Sequence, residues 1–254
     1  MREATVGSAA PTVRSRLLPA LRELALLAVL YLGYTASRLL ADDDLVAAQR
    51  VAERIFEWER TLGIAVEPTL NGWTAAHVVV GVGAAYWYTV THYAVTALVL
   101  LVVWLRRPGA YRSARTVLVA STLTALAFYL VVPVAPPRLV PGYVDVLAQT
   151  ADWGWWGQSA SAPRGLGSMT NQLAAMPSMH VGWAVWVALT LSRLVPGRWR
   201  TLVWCYPVVT TLVVVMTGNH WLLDAVAGAA VVLLVDLAVR ARRLSGPARP
   251  PAPR

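Results

Sequence analysis

Three short polar clusters in an otherwise apolar chain carry side chains that together can move a phosphoryl group. The first is Ala135-Pro136-Pro137-Arg138-Leu139. The second is Met176-Pro177-Ser178-Met179-His180. The third runs from Thr217 through Gly218, Asn219, His220, Trp221, Leu222 and Leu223 to Asp224. His220 and Asp224 are four residues apart and so share one face of a helix. A carboxylate there can hold one imidazole nitrogen as N–H and leave the other as a nucleophile. His180 can protonate a leaving alkoxide. Arg138 offers a planar fork of donors to phosphate oxygens. Pro177 fits the first turn of a helix, where its missing N–H costs nothing, and the free backbone N–H groups beside Ser178 would then face an anion. This set supplies nucleophile, orienting acid, general acid and anion clamp, and it needs neither metal nor cofactor. Taken singly, each part also has a structural reading. A lone histidine among membrane helices can be a packing residue, a His-x3-Asp spacing can be a structural hydrogen bond, and Pro-Pro-Arg is a common loop ending. The three together, in this order, point to a function.

The elements that must position these groups are membrane spans. The 254-residue chain is 57% hydrophobic and only 14% charged, with a mean hydropathy of +0.54; a soluble domain averages about a quarter charged. Its apolar residues gather in runs near the length of about 20 residues that crosses a bilayer as a helix. Six runs read as crossings: Leu21–Leu40, Tyr86–Leu105, Val117–Val134, Val181–Val195, Leu202–Met216 and Trp221–Val239. Pro68–Ala85, apolar but interrupted by Gly72, Gly81 and Gly83, reads as an interfacial or re-entrant helix. Asp42–Leu62, with Leu45, Val46, Ala52, Ile55, Phe56 and Trp58 among charges, reads as an amphipathic helix on the membrane surface. The expected fold is all-α: a six-helix transmembrane bundle over residues 21–243 with an added interfacial region after the first span. It is flanked by a cytoplasmic tail over 1–20 and a Pro-rich disordered tail over 244–254. The first span is too long for a signal-peptide core and is expected to stay attached. The single cysteine, Cys205, leaves no route to an intramolecular disulfide.

Arginine sets the orientation. Every one of the 22 basic residues is Arg. With six crossings, Arg2–Arg22, Arg106–Arg115, Arg193–Arg200 and Arg240–Arg254 all fall on one side, and only Arg38, Arg50, Arg54, Arg60, Arg138 and Arg164 fall elsewhere. The positive-inside rule makes the first side cytoplasmic and puts both termini there. It also explains the net charge of +9 without a nucleic-acid partner. The three polar clusters then share the outer face. Ionisable groups in a membrane cost about 2.5–3.5 kcal/mol each on insertion scales, so their placement there calls for a reason.

These residues resemble the type 2 phosphatidic acid phosphatase superfamily (PAP2), whose motifs are K-x6-R-P, P-S-G-H and S-R-x5-H-x3-D. Pro177-Ser178-Met179-His180 matches the second motif, His220 and Asp224 the end of the third, and Arg138 the first arginine. The resemblance covers roughly 57–228. It implies a six-helix bundle with His220 as nucleophile, Asp224 as its partner and His180 as the acid for the leaving group. The chain departs from the pattern at Val131, where the family has Lys, and at Val213-Val214, where it has Ser-Arg. Pro133 to Arg138, Ala174 to His180 and Thr217 to His220 look more like the branch containing fungal inositol phosphorylceramide synthase and its bacterial relatives. So do Tyr88-x3-His92 and Trp104-Leu-Arg-Arg107.

The missing cations leave replacements to find. Arg164, in the long outer loop, is one candidate, and Asn219, as a neutral donor, is another. His92, near the outer half of the second span, can face the site, and Tyr88 is a donor or an aromatic-belt residue. Trp153, Trp155 and Trp156 either anchor the outer loop or cover a lipid headgroup. The expected protein is an integral membrane enzyme, set by its composition in a bacterial cell membrane, acting on a lipid phosphate through a phosphohistidine. The favoured reaction is inositolphosphotransferase-like, because fewer cations suit a less charged phosphodiester. Hydrolysis of phosphatidate or a polyprenyl (pyro)phosphate is the alternative. A non-catalytic transporter or structural relative is the competing class.

Overall fold

The computed structural model describes residues 21–26, 28–29, 32–33, 44–157 and 171–245. Half of the first expected span, Leu21–Leu40, lies outside the described residues, as do Arg164, residues 1–20 and residues 246–254; the described parts of that span are helical. The described chain is all-helical and contains no strand, only an isolated bridge between Val134 and Ala174. Its elements are α1 (Leu45–Thr61), α2 (Glu67–Ala76), α3 (Val78–Tyr86), a π-turn (Trp87–Thr91), α4 (His92–Arg106), α5 (Pro108–Val131), α6 (Val146–Gln149), α7 (Met179–Ser192), α8 (Trp199–Leu202), α9 (Cys205–Met216) and α10 (Leu222–Leu244).

Among the described residues, four helices are long and apolar enough to cross a membrane: Val78–Arg106, Pro108–Val131, Trp199–Met216 and Leu222–Arg243. They suggest an integral membrane protein. No more than a third of each apolar window is covered by protein, which leaves Leu98, Val131, Val208 and Leu234 exposed to a solvent that must be hydrocarbon. α7 is apolar but has only 14 residues, about 21 Å at 1.5 Å per residue. It is buried on nearly every side, among them Val181, Gly182, Ala184, Val185, Trp186, Val187 and Ala188. A helix apolar all round belongs in the centre of a bundle, and α7 packs against α4, α5, α9 and α10. Indole N–H groups tie the helices together where no water can. Trp186 donates to the Ala114 carbonyl at 2.8 Å, Trp183 to Thr122 Oγ1 at 3.1 Å and Trp87 to Thr210 Oγ1 at 3.2 Å.

The region expected to be one interfacial helix, Pro68–Ala85, is two pieces. α2 ends at Ala76, His77 leaves the helical region at φ −119° and ψ 79°, and the span begins at Val78 rather than Tyr86. Gly81 does not break α3. It admits a close neighbour, since a Cβ there would lie 3.2 Å from Val146 Cγ1. α1 forms as expected, with Asp44 accepting from the Ala47 N–H at 2.9 Å as its N-cap. Its buried stripe differs from the expected one, however. Ala48, Ala52, Ile55 and Glu59 are covered, whereas Leu45, Val46 and Trp58 are exposed. The small residues seat α1 on Val134, Ala135, Leu173, Ala175 and Trp221, so α1 closes the end of the bundle where the polar clusters meet.

The arginine-rich connections lie at the opposite end. Arg193 holds Asp236 in a two-toothed pair at 2.9 and 2.6 Å, Arg240 adds a third contact at 3.0 Å, and Arg115 pairs with Glu23.

Candidate active site

The three clusters converge because backbone groups bind them to one another. The Arg138 N–H donates to the Gly218 carbonyl at 2.8 Å, the Ser178 N–H to the Asp224 carbonyl at 2.8 Å, and the Val134 N–H to the Leu173 carbonyl at 2.8 Å. Two glycines permit this closeness. Gly218 turns the chain between α9 and α10 at φ +73°, a left-handed conformation that L side chains rarely adopt. At Gly228 a Cβ would lie 2.0 Å from the Ser178 carbonyl oxygen, so only glycine lets α10 approach the start of α7.

His220 is buried, and its Nδ1 lies 2.8 Å from the Ala175 carbonyl oxygen. A carbonyl can only accept, so Nδ1 carries the proton and Nε2 presents its lone pair. Asp224 Oδ2 stands behind the same nitrogen at 3.6 Å, longer than a hydrogen bond, and accepts instead from the Trp221 N–H at 2.8 Å. The expected His–Asp pairing is therefore present as a charge at close range, while the hydrogen bond that fixes the tautomer goes to Ala175.

His180, one residue into α7, faces His220 with ring centroids 5.6 Å apart, a gap that one bridging oxygen can fill. Its Nε2 is buried without a hydrogen-bond partner among the described residues. The Tyr88 ring stacks on the His180 ring at 4.1 Å and 18°, and the His92 ring packs at 4.0 Å. Tyr88 lies in the π-turn, which adds a residue to the helical repeat, and His92 follows it as the first residue of α4; the His92 Nδ1–H donates to the Tyr88 carbonyl at 2.9 Å. Three imidazoles and a phenol ring thus line one space.

Arg138 is mostly buried. Its Nε donates to Asn219 Oδ1 at 3.0 Å, and its Nη1 lies 3.4 Å from Gln172 Oε1 and 3.7 Å from Asp145 Oδ2. Asn219 is thus an acceptor that aims Arg138, with its amide donating to Thr217 Oγ1 at 3.0 Å, rather than the free donor expected. Ser178 also differs from expectation. It is fully buried and acts as N-cap of α7, accepting from the Val181 N–H at 3.5 Å. Pro177 precedes the cap instead of filling the first turn. The Ser178 N–H is taken by Asp224, which leaves the first-turn N–H groups of Met179 and His180 to face an anion. Trp156 is buried and donates to the Leu147 carbonyl at 2.9 Å, while Trp153 and Trp155 are exposed.

Sequence reasoning missed Asn71, Glu59 and Glu67. Asn71 clasps Val144 through both its N–H and its carbonyl, at 2.8 and 2.9 Å, and so holds α2 to the loop that follows Arg138. Glu59 and Glu67 are fully buried under α10. Glu59 had a signal: it extends the Ala48, Ala52, Ile55 stripe, so a charge stands on the buried face of α1. Among the described residues, no group of three His, Cys, Asp or Glu side chains is arranged to hold a metal ion.

No curated protein and no solved structure gives a significant match to the chain. A family model described as the PAP2 superfamily matches residues 53–238. That stretch runs from α1 almost to the end of α10 and contains Arg138, Ser178, His180, His220 and Asp224, the residues that the bundle draws to one end. By this match the chain belongs to the PAP2 superfamily.

Proposed function

We propose that the protein is a membrane lipid phosphatase or phosphotransferase that works through a phosphohistidine on His220. Superfamily membership suggests phosphatase-type chemistry on lipid phosphates. The observation that carries the residue roles is the pairing of the two histidines: His220 Nδ1 is held by Ala175, and its ring lies 5.6 Å from that of His180, whose Nε2 has no partner among the described residues.

In this reading Nε2 of His220 attacks phosphorus, the bond from phosphorus to the leaving oxygen breaks, and His180 gives that oxygen its proton. His180 then takes a proton from the acceptor, whose oxygen displaces His220 and breaks the P–N bond. Arg138, aimed by Asn219, and the first-turn N–H groups beyond Ser178 hold the phosphate oxygens. His92 and Tyr88 border the space where the headgroup lies. The six-crossing topology, with cytoplasmic termini and an outward-facing site, belongs to the same proposal and is supported by the gathering of arginines at the other end. A shallow apolar groove of about 250 Å³ includes Val181 and Leu222 in its lining, with Val185, Pro207 and Val226. Val181 follows His180 directly and Leu222 comes two residues after His220, so the groove suits a lipid tail whose head lies at the histidines.

The favoured reaction is transfer of a headgroup phosphate such as inositol phosphate. The apolar Val131 and Val213-Val214, where the superfamily motifs carry cations, support it. Hydrolysis of phosphatidate or a polyprenyl (pyro)phosphate is the second reading, supported by the superfamily itself. Purified protein given phosphatidylinositol with a lipid alcohol, and separately phosphatidate, distinguishes them. Headgroup transfer is expected. Release of free phosphate from phosphatidate without transfer would leave the hydrolytic reading alone standing.

A further inference from the structure

Three consecutive backbone N–H groups open α10, and each ends on a buried carboxylate. The Trp221 N–H donates to Asp224 Oδ2 at 2.8 Å, the Leu222 N–H to Glu67 Oε1 at 2.8 Å, and the Leu223 N–H to Glu59 Oε1 at 2.7 Å. Two of the three carboxylates come from outside α10: Glu59 from the end of α1 and Glu67 from the first turn of α2. Both side chains are fully buried. Each uses one oxygen on α10, and the second oxygen of each, Oε2, has no hydrogen-bond partner among the described residues. The two carboxyl groups are neighbours, because they accept from the consecutive N–H groups of Leu222 and Leu223.

Two buried carboxylates cannot face each other as anions, but one proton between them turns the repulsion into an O–H···O⁻ bond. We propose that Glu59 and Glu67 share one proton between their free oxygens, and that this singly charged pair is the positioning element that holds the start of α10, and with it His220 and Asp224, in catalytic register. The proposal rests on the functional reading above.

The titratable groups facing Glu59 are Glu67 from α2, Asp224 from α10 and Tyr143 from the loop after Arg138. Burial above all, then the Glu67 carboxylate, raises the Glu59 carboxyl to about 8, against the lowering by the Leu223 N–H. Burial and the two glutamates likewise push the Tyr143 phenol up. Above that range a second negative charge would open the cap. Trp221 and Asp224 would then lose their fixed place, although neither glutamate touches the reacting atoms.

The test uses the full chain in lipid nanodiscs. Turnover of a lipid phosphate is followed across pH for the wild type and for Glu59→Gln, Glu67→Gln and Glu59→Ala. Glutamine keeps the acceptor for α10 and supplies an N–H in place of the shared proton. The wild type should lose kcat as pH rises through about 8, with KM little changed, and Glu59→Gln should keep its neutral-pH turnover and lose that alkaline limb. Glu59→Ala should lose roughly tenfold in kcat, the scale of a lost helix cap. An unchanged alkaline limb in Glu59→Gln, or wild-type kcat in the alanine variant, would overturn the proposal. Infrared spectra of the wild type should show a carboxylic-acid C=O band that titrates near the same pH and is missing from Glu59→Gln. A wild type without turnover on any lipid phosphate defeats the functional reading alone, and the infrared band then decides the pair: its absence overturns it.

Discussion

The Nδ1 of His220 is spoken for by the Ala175 carbonyl, so the ring offers Nε2 and nothing else to a substrate. Replacing His220 with Ala should therefore lower turnover by roughly 10⁴-fold or more, the scale seen when a nucleophile is removed. It should also abolish radiolabel retained on the protein from a labelled lipid phosphate; retained label in that variant would sink the assignment. Asp224 acts twice, as a charge 3.6 Å from the same ring and as acceptor for the Trp221 N–H. Asp224→Asn keeps an acceptor and loses the charge that stabilises an imidazolium. Its kcat should fall about 10²–10⁴-fold with the protein still folded, as read by steady-state kinetics beside a melting curve. Arg138 is aimed by Asn219. Arg138→Lys keeps the charge but loses the planar fork, so it should recover little of the activity lost in Arg138→Ala.

At the scale of elements, the site depends on a close approach, a cap and a π-turn. α10 meets the start of α7 at Gly228, where a methyl would overlap the Ser178 carbonyl at 2.0 Å. Gly228→Ala should therefore force the helices apart, lower stability by at least about 1–3 kcal/mol, and separate His180 from His220. A normal melting temperature with full turnover would contradict the packing described. The carboxyl pair makes a second prediction, about stability rather than rate. Glu59 is raised from 4.5 to about 8, so between those values the unfolded chain is ionised while the folded chain keeps its proton. The folded state then binds more protons, and stability should fall as pH rises through that window and level off above it. Melting curves of the wild type should show this slope and those of Glu59→Gln should lack it. The π-turn is the third device. It brings Tyr88 and His92 onto His180, and nothing in the residues Trp87–Thr91 announces a break in the 3.6-residue repeat.

The molecule as a whole has a chemically polarised form. One end of the bundle carries the histidines under a lid of α1 and α2, and the other carries the arginines with Asp236 and Glu23. If the arginine end is cytoplasmic, a membrane-impermeant thiol reagent should separate the two. In a Cys205→Ser background, Trp155→Cys in the loop near the site should react in intact cells. Trp199→Cys at the arginine end should react only after permeabilisation. The reverse pattern would turn the protein over in the membrane and place its substrate in the inner leaflet.

The apolar runs and the arginine distribution are legible in the sequence because crossing a bilayer is a demand on each segment by itself: every backbone group must be satisfied within its own helix. The chemical groups at the helix ends are legible for a similar reason, since a His-x3-Asp spacing or a Pro-Ser before an apolar run is local. The tertiary structure alone decided which partners those groups have. Ala175 rather than Asp224 takes the His220 proton, Asp224 takes the Ser178 N–H that an anion was expected to use, and Asn219 serves Arg138. It also moved the start of the second span to Val78. It brought Glu59 to the Leu223 N–H across 164 positions of chain. Hydrogen bonds between distant segments follow from how the helices close on one another, and local periodicity carries no record of that closure.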